Sequence, residues 1–260
     1  MKKSTRLVSI IGLFALLIVF VFAATAIAQR VGGGKRGVDE WVIMTYVPDN
    51  GYTVPVALPV DKSGGGVAFD FFPTPDRAML LASDMDTIKK FHEGNLSGKS
   101  LSAKISIEAT LGATFNYFNN DGTGTLQGGW ADPGGFVRLY FQTGITTGWN
   151  PGNPEGEAQY WWSNPIHIDL ADLAARGKKG ITLQVPLDPD SWSDRDGHMG
   201  TDNPIIGGML YDHTILFNKA TARVTKVGLS FGGGGWWAFG CGVNDPSVAV
   251  FKLNEFKVKK

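Results

Sequence analysis

An antiparallel all-β fold is predicted by three features of this chain. Apolar and polar residues alternate at a period of two, most cleanly over residues 101–109 and 136–142. Glycine is abundant, at 35 residues, and interrupts the apolar runs as turns do. Eight tryptophans and 16 phenylalanines, against 18% charged residues, supply large side chains for a layered core. Together these predict a two-sheet antiparallel β-sandwich with long loops and one or two short helices.

The amino terminus reads separately. Lys2, Lys3 and Arg6 precede an almost wholly apolar run over 7–28 that closes on Ala26-Ile27-Ala28, the small-residue pattern of a signal-peptidase site. Left uncleaved, the run is long enough to span a bilayer as an anchor. Residues 1–28 are therefore expected to be a signal helix or an anchor, 29–40 a flexible lead-in, and 41–260 the β-sandwich domain. The expected location is secreted, periplasmic or cell-envelope, with membrane contact only through 7–28.

Strands follow in order. Residues 41–47 form the first, ending at Pro48-Asp49-Asn50-Gly51, and Pro55, Pro59 and Gly64 to Gly66 mark a long loop. Residues 67–72 and 78–81 are strand candidates, and 84–92 has weak helical character. In 101–109, Leu101, Ala103, Ile105, Ile107 and Ala109 alternate with Ser102, Lys104, Ser106 and Glu108, so one face is expected buried and one solvated. Residues 114–118 follow. In 136–142, Val137, Leu139 and Phe141 point inward and Arg138, Tyr140 and Gln142 outward. In 158–163, Tyr160 and Trp162 are placed inward, and Gln159, Trp161 and Ser163 outward. A helical turn is expected at 170–176, then a strand at 181–187 with Leu183 and Val185 inward and Gln184 outward.

Residues 188–221 are a long connection with a helical stretch within 207–220. Residues 227–231 are a strand, and Gly232 to Gly235 are expected to turn it into a hairpin. On the returning strand Trp237, Phe239, Cys241 and Val243 face the core, which leaves Trp236 outward. The last strand changes phase between Leu253 and Phe256, predicting a β-bulge at Asn254-Glu255.

Composition removes several functions. Twenty-four basic and 24 acidic residues give zero formal charge, without the basic bias of a nucleic-acid binder. Cys241 is the one cysteine, so no intramolecular disulfide forms, and between two glycines on a strand it reads as a buried small hydrophobe. His92, His167, His198 and His213 lack the close spacing of a zinc site, and no metal ligand is assigned. The acidic loop from Asp188 to Gly197 has only the Asp-x-Asp-Gly centre of a calcium loop, with its register wrong. Calcium is the one cofactor left open. No G-x-S-x-G, phosphate loop or distinctive carboxylate pair occurs, so no catalytic residue is assigned and the protein is expected not to be an enzyme.

The outward aromatics remain. A flat ring can take the apolar face of a sugar while guanidinium and amide groups take its hydroxyl rim. The candidate ligand-binding residues are Arg138, Tyr140, Trp161, Gln184 and Trp236.

The segments GVAFDFF, LSGKSLSAKISIEA, FVRLYFQT, YWWS, ITLQVPLDPDSWS, VTKVGLSFGGGGWWAFGCGV and VAVFKLNEFKV, spanning about 67–258, resemble in arrangement the galactose-binding-domain-like jelly rolls found as carbohydrate-binding modules. That resemblance implies a two-sheet jelly roll, often a non-catalytic glycan binder, sometimes with a structural calcium. It carries over no catalytic residue. The expected function is exported, non-catalytic glycan binding. The alternatives are a structural or adhesive cell-envelope protein, and a polysaccharide-acting hydrolase.

Overall fold

The computed structural model describes residues 41–47, 52–57, 60–62, 66–73, 80–84, 94–118, 130–131, 134–143, 160–194, 197–232 and 240–260. The chain divides into two units, Met1–Lys35 and Arg36–Lys260, and every described residue lies in the second. The expected signal segment, the lead-in over 29–40, all but Asp84 of the weak helix expected over 84–92, Gln159, Trp236, Trp237 and Phe239 lie outside the described residues, and Asp84 ends a strand. Among those described, no helix is long and apolar enough to cross a membrane.

The larger sheet contains β1 (Val42–Val47), β2 (Tyr52–Ala57), β5 (Leu80–Asp84), β9 (Phe136–Thr143), β10 (Tyr160–Ser163), β11 (Ile168–Asp169), β13 (Trp192–Asp194) and β16 (Val224–Gly232). Its order is β13-β10-β9-β16-β5-β1-β2, with β11 also on β9. The second sheet contains β3 (Val60–Lys62), β4 (Gly66–Asp70), β6 (Ser100–Ala109), β12 (Ile181–Pro186) and β18 (Ala249–Lys259), ordered β12-β6-β18-β4-β3. All the strand pairs in both sheets are antiparallel.

The two sheets meet across one apolar core. Phe231 of β16 packs edge-on against Phe251 of β18 at 5.0 Å and against Phe69 of β4 at 5.9 Å. The alternating residues of β6, β9, β12 and β16 supply this layer as their period requires: Leu101, Ile105, Ile107, Val137, Leu139, Val185, Val227 and Leu229 are all buried in it.

Four sheets are present among the described residues, where two were expected. β14 (Ile205–Ile206) and β15 (Met209–Leu210) form a small hairpin, and β7 (Phe115–Phe118) pairs both β8 (Trp130–Ala131) and β17 (Cys241–Val243). The architecture is all-β with few short helices. The turn and the start of the returning strand expected after Gly232 lie outside the described residues. Where the chain is described again, the Gly240 N–H donates to the Phe231 carbonyl of β16 at 3.1 Å, and β17 pairs β7. The supposed loop between the first strand and residue 67 also contains β2 and β3.

Helix α1 (Leu170–Arg176) forms where expected. Asp169 caps it, its carboxylate accepting from the Ala171 and Asp172 N–H groups at 2.7 and 3.2 Å. The chain then passes through a short 3-10 turn, Gly177–Lys179, to Gly180. Gly180 has φ +56°, and a Cβ there would stand 2.0 Å from the Ile105 carbonyl oxygen. α1 and this turn pack against β6, and Ser102 and Ser106 on its supposedly solvated face are buried. Asn254 donates to the Ser106 hydroxyl at 3.1 Å. The register of β18 on β6 shifts between Leu253 and Glu255, where the bulge was expected.

Candidate functional site

β9 sits near the middle of the larger sheet, and its two faces differ in chemistry. On the core face are Val137, Leu139 and Phe141. On the other face are Arg138, Tyr140 and Gln142. Cross-strand register extends that second face. Trp162 of β10 lies beside Tyr140, Tyr160 beside Gln142, Ser230 of β16 beside Arg138, and Gly228 beside Tyr140. Leu80 and Ala82 of β5 continue it beside Ser230 and Gly228. Leu80, Ala82, Tyr140 and Trp162 form an apolar cluster separate from the main core, with Met44 and Tyr160 against it.

The outward direction predicted for Arg138 and Tyr140 is therefore right relative to the main core, yet both are buried, at 3% and 1% exposure. The Tyr140 hydroxyl donates to Gln142 Oε1 at 2.9 Å. Burial raises the Tyr140 phenol well above its ordinary value, with Tyr160 adding to the shift. Burial likewise lowers the Arg138 guanidinium from its ordinary value. Two further polar groups are buried here. Trp162 Nε1 and Ser230 Oγ have no hydrogen-bond partner among the described residues. A buried donor left unsatisfied costs about 1–3 kcal/mol, so such groups call for a reason.

Trp161 is a correction. It was placed outward, but it is fully buried in the main core. Its indole stacks on Phe141 at 6.2 Å with a 10° interplanar angle and meets the edge of Phe217 at 4.9 Å. Trp162 takes the second face instead. The sequence Tyr160-Trp161-Trp162 offers aromatics in both phases, so alternation alone does not choose between them. The choice is made where β10 ends: the Ser163 hydroxyl accepts from the Leu139 N–H at 3.1 Å and donates to the Ile166 carbonyl.

Gln184 is exposed as expected, but it lies on β12 in the other sheet, beside Ser102, and accepts from Lys259 Nζ at 2.6 Å. It does not join Arg138 and Tyr140. Trp236 lies outside the described residues.

Sequence reading missed a second cluster, in the 188–221 connection. This segment holds the 3-10 turn Pro189–Ser191, β13, the β14–β15 hairpin and helix α2 (His213–Thr221). Asp212 caps α2 through the Thr214 N–H at 3.0 Å. Asp194 is wholly buried at the end of β13. Its Oδ2 lies 3.3 Å from His213 Nε2 and 3.4 Å from His198 Nδ1, while its Oδ1 accepts from the His198 backbone N–H at 2.9 Å. His213 is fully buried, and His198 is partly exposed. The one sequence signal was Asp194 and His198 at i, i+4; His213, 15 positions beyond His198, gave none. The acidic loop considered for calcium thus commits Asp194 to histidine and backbone. No group of three or more His, Cys, Asp or Glu among the described residues could hold a metal ion.

Cys241 is buried, as its setting suggested, and burial raises its thiol pKa far above the ordinary value, leaving it unreactive. Its sulfur would stand 2.8 Å from a Cβ at Gly135, so that glycine is what lets β17 approach the start of β9.

No family model, no curated protein and no solved structure matches this chain.

Proposed function

We propose that the protein is an exported, non-catalytic β-sandwich of jelly-roll type that binds glycan on the second face of its larger sheet. One observation supports this: that face mixes aromatic rings with polar groups, and Trp162 Nε1 and Ser230 Oγ are buried there without a partner among the described residues. A sheet face serving only as core does not need Arg138, Tyr140 and Ser230 side by side. A sugar supplies what such a face lacks, an apolar ring face for Trp162 and Tyr140 and hydroxyl oxygens for the donors. The face is closed, so binding has to open it, and the reading stands on Trp162 rather than on Trp161.

Affinity electrophoresis on a panel of neutral and acidic polysaccharides tests this. The full chain is expected to be retarded by at least one, and Trp162→Phe and Ser230→Ala to weaken retardation at least about tenfold, the loss of roughly one good hydrogen bond. Retardation unchanged in both variants removes this face from the site. No retardation across the panel removes glycan binding.

The alternative of an adhesive envelope protein has one observation in its favour. Ile205, Met209, Leu210 and Ile215, on the β14–β15 hairpin and α2, are all more than half exposed. Apolar side chains gathered in this way mark protein-contact surfaces. That reading expects Leu210→Glu to reduce self-association in sedimentation while leaving the fold intact.

A further inference from the structure

The Asp194 cluster joins three parts of the chain that are far apart in sequence or differ in element: the edge strand β13, the loop after it, and the start of α2. His213 Nδ1 lies 2.7 Å from the Met199 carbonyl oxygen, which can only accept, so Nδ1 carries a proton. His213 Nε2 lies 3.3 Å from Asp194 Oδ2, within ion-pair range though outside hydrogen-bonding geometry, and that carboxylate also only accepts. Imidazolium alone donates at Nδ1 and also sets a positive charge beside the carboxylate. Neutral His213 keeps its proton on Nδ1 and turns a lone pair toward a buried carboxylate, a repulsive contact in a dry interior.

The surroundings favour the charged ring. Burial opposes it, but Asp194, the Met199 carbonyl and Asp202 outweigh burial and raise the His213 pKa above its ordinary 6.5. His198 is the other titratable ring facing the cluster, 5.9 Å from His213. On the sheet side the neighbour is the Trp161 indole, at 5.0 Å. Asp212, adjacent in α2, is engaged by the helix N-terminus.

We infer that Asp194, His213 and His198 form a proton-operated clasp that fastens β13 and the 197–213 segment to the sheet while His213 is protonated. The backbone shows what is fastened. The Asp194 N–H donates to the His198 carbonyl at 2.9 Å, Gly200 to Trp192 at 2.9 Å, and His213 to Asp202 at 3.1 Å. β13 has only β10 as its strand partner in the sheet order, so this knot supports its other side. Because the folded value stands above the unfolded one, the stabilisation is complete below 6.5 and is lost as pH rises through the folded value. Ser193 lies beside Trp162, so release of β13 reaches the second face of the sheet.

Imidazole NMR titration of the full chain, with amide-exchange protection factors measured from acid to alkaline pH, tests the clasp. His213 is expected to titrate above 6.5. Protection of the Asp194, Gly200 and His213 amides is expected to fall across that titration, by about tenfold for each unit of elevation. Ile105 and Leu253, deep in the other sheet, are expected to keep theirs. Asp194→Asn is expected to bring the His213 titration down below 6.5 and to move the loss of protection with it. A His213 ring titrating at or below 6.5 in the wild type overturns the clasp. So does protection that ignores the ring's titration. Both readings come from the wild-type chain, so a variant that fails to fold leaves the test intact.

Discussion

Around β9, β10 and β16 the larger sheet buries residues on both of its faces, yet the two faces are built differently. The core face of β9, β10 and β16 carries Val137, Leu139, Phe141, Trp161, Val227, Leu229 and Phe231, all apolar and all sealed against the second sheet or α2. The other face carries Arg138, Tyr140, Trp162 and Ser230 beside Leu80 and Ala82. The first is what hydrophobic burial predicts for a sandwich interior. The second is closed from water while Trp162 Nε1 and Ser230 Oγ have no partner among the described residues. Burial therefore does not identify a core; the chemistry of what is buried does.

The largest break in this comparison is expected from Trp161→Ala. It empties the space between Phe141 and Phe217 and should cost about 3–5 kcal/mol, read as a lower urea midpoint. Gly228→Ala should come next. A Cβ at Gly228 would stand 2.1 Å from the Leu81 carbonyl oxygen, so β16 and β5 would have to separate, an overpacking cost of about 1–3 kcal/mol by the same measurement. Ser230→Ala should be the smallest, within about 0.5 kcal/mol, because it removes a hydroxyl that has no partner among the described residues. A Ser230→Ala loss as large as that of Gly228→Ala would show that the second face is ordinary core. A neutral Ser230→Ala that also weakens glycan retardation would separate the two faces by function as well as by chemistry.

Much of the fold is legible in residue order. Strict alternation over 101–109 and 136–142 fixes which residues of β6 and β9 face the core, because a strand's side-chain period is two wherever it is regular. The break in that alternation locates the β18 bulge at Asn254-Glu255. The helical turn expected at 170–176 is α1. Solvation is less legible. Ser102, Ser106, Arg138 and Tyr140 read as outward, yet all four are buried, because what covers a sheet face is decided elsewhere in the chain. The candidate site was legible only at Arg138 and Tyr140. Trp162, Ser230 and the Asp194 cluster were not, since each depends on a neighbour distant in sequence.

By itself, the sequence determined the all-β class, the phase of the regularly alternating strands, the bulge and the first helix. These rest on local residue patterns, which act over a few residues. Tertiary structure decided the rest: that Trp161 rather than Trp162 enters the core, that β17 pairs β7, and that His213 meets Asp194. The physical reason is that an aromatic triplet satisfies either phase, a short strand does not name its partner, and a buried ion pair forms only where two distant backbones bring its halves together.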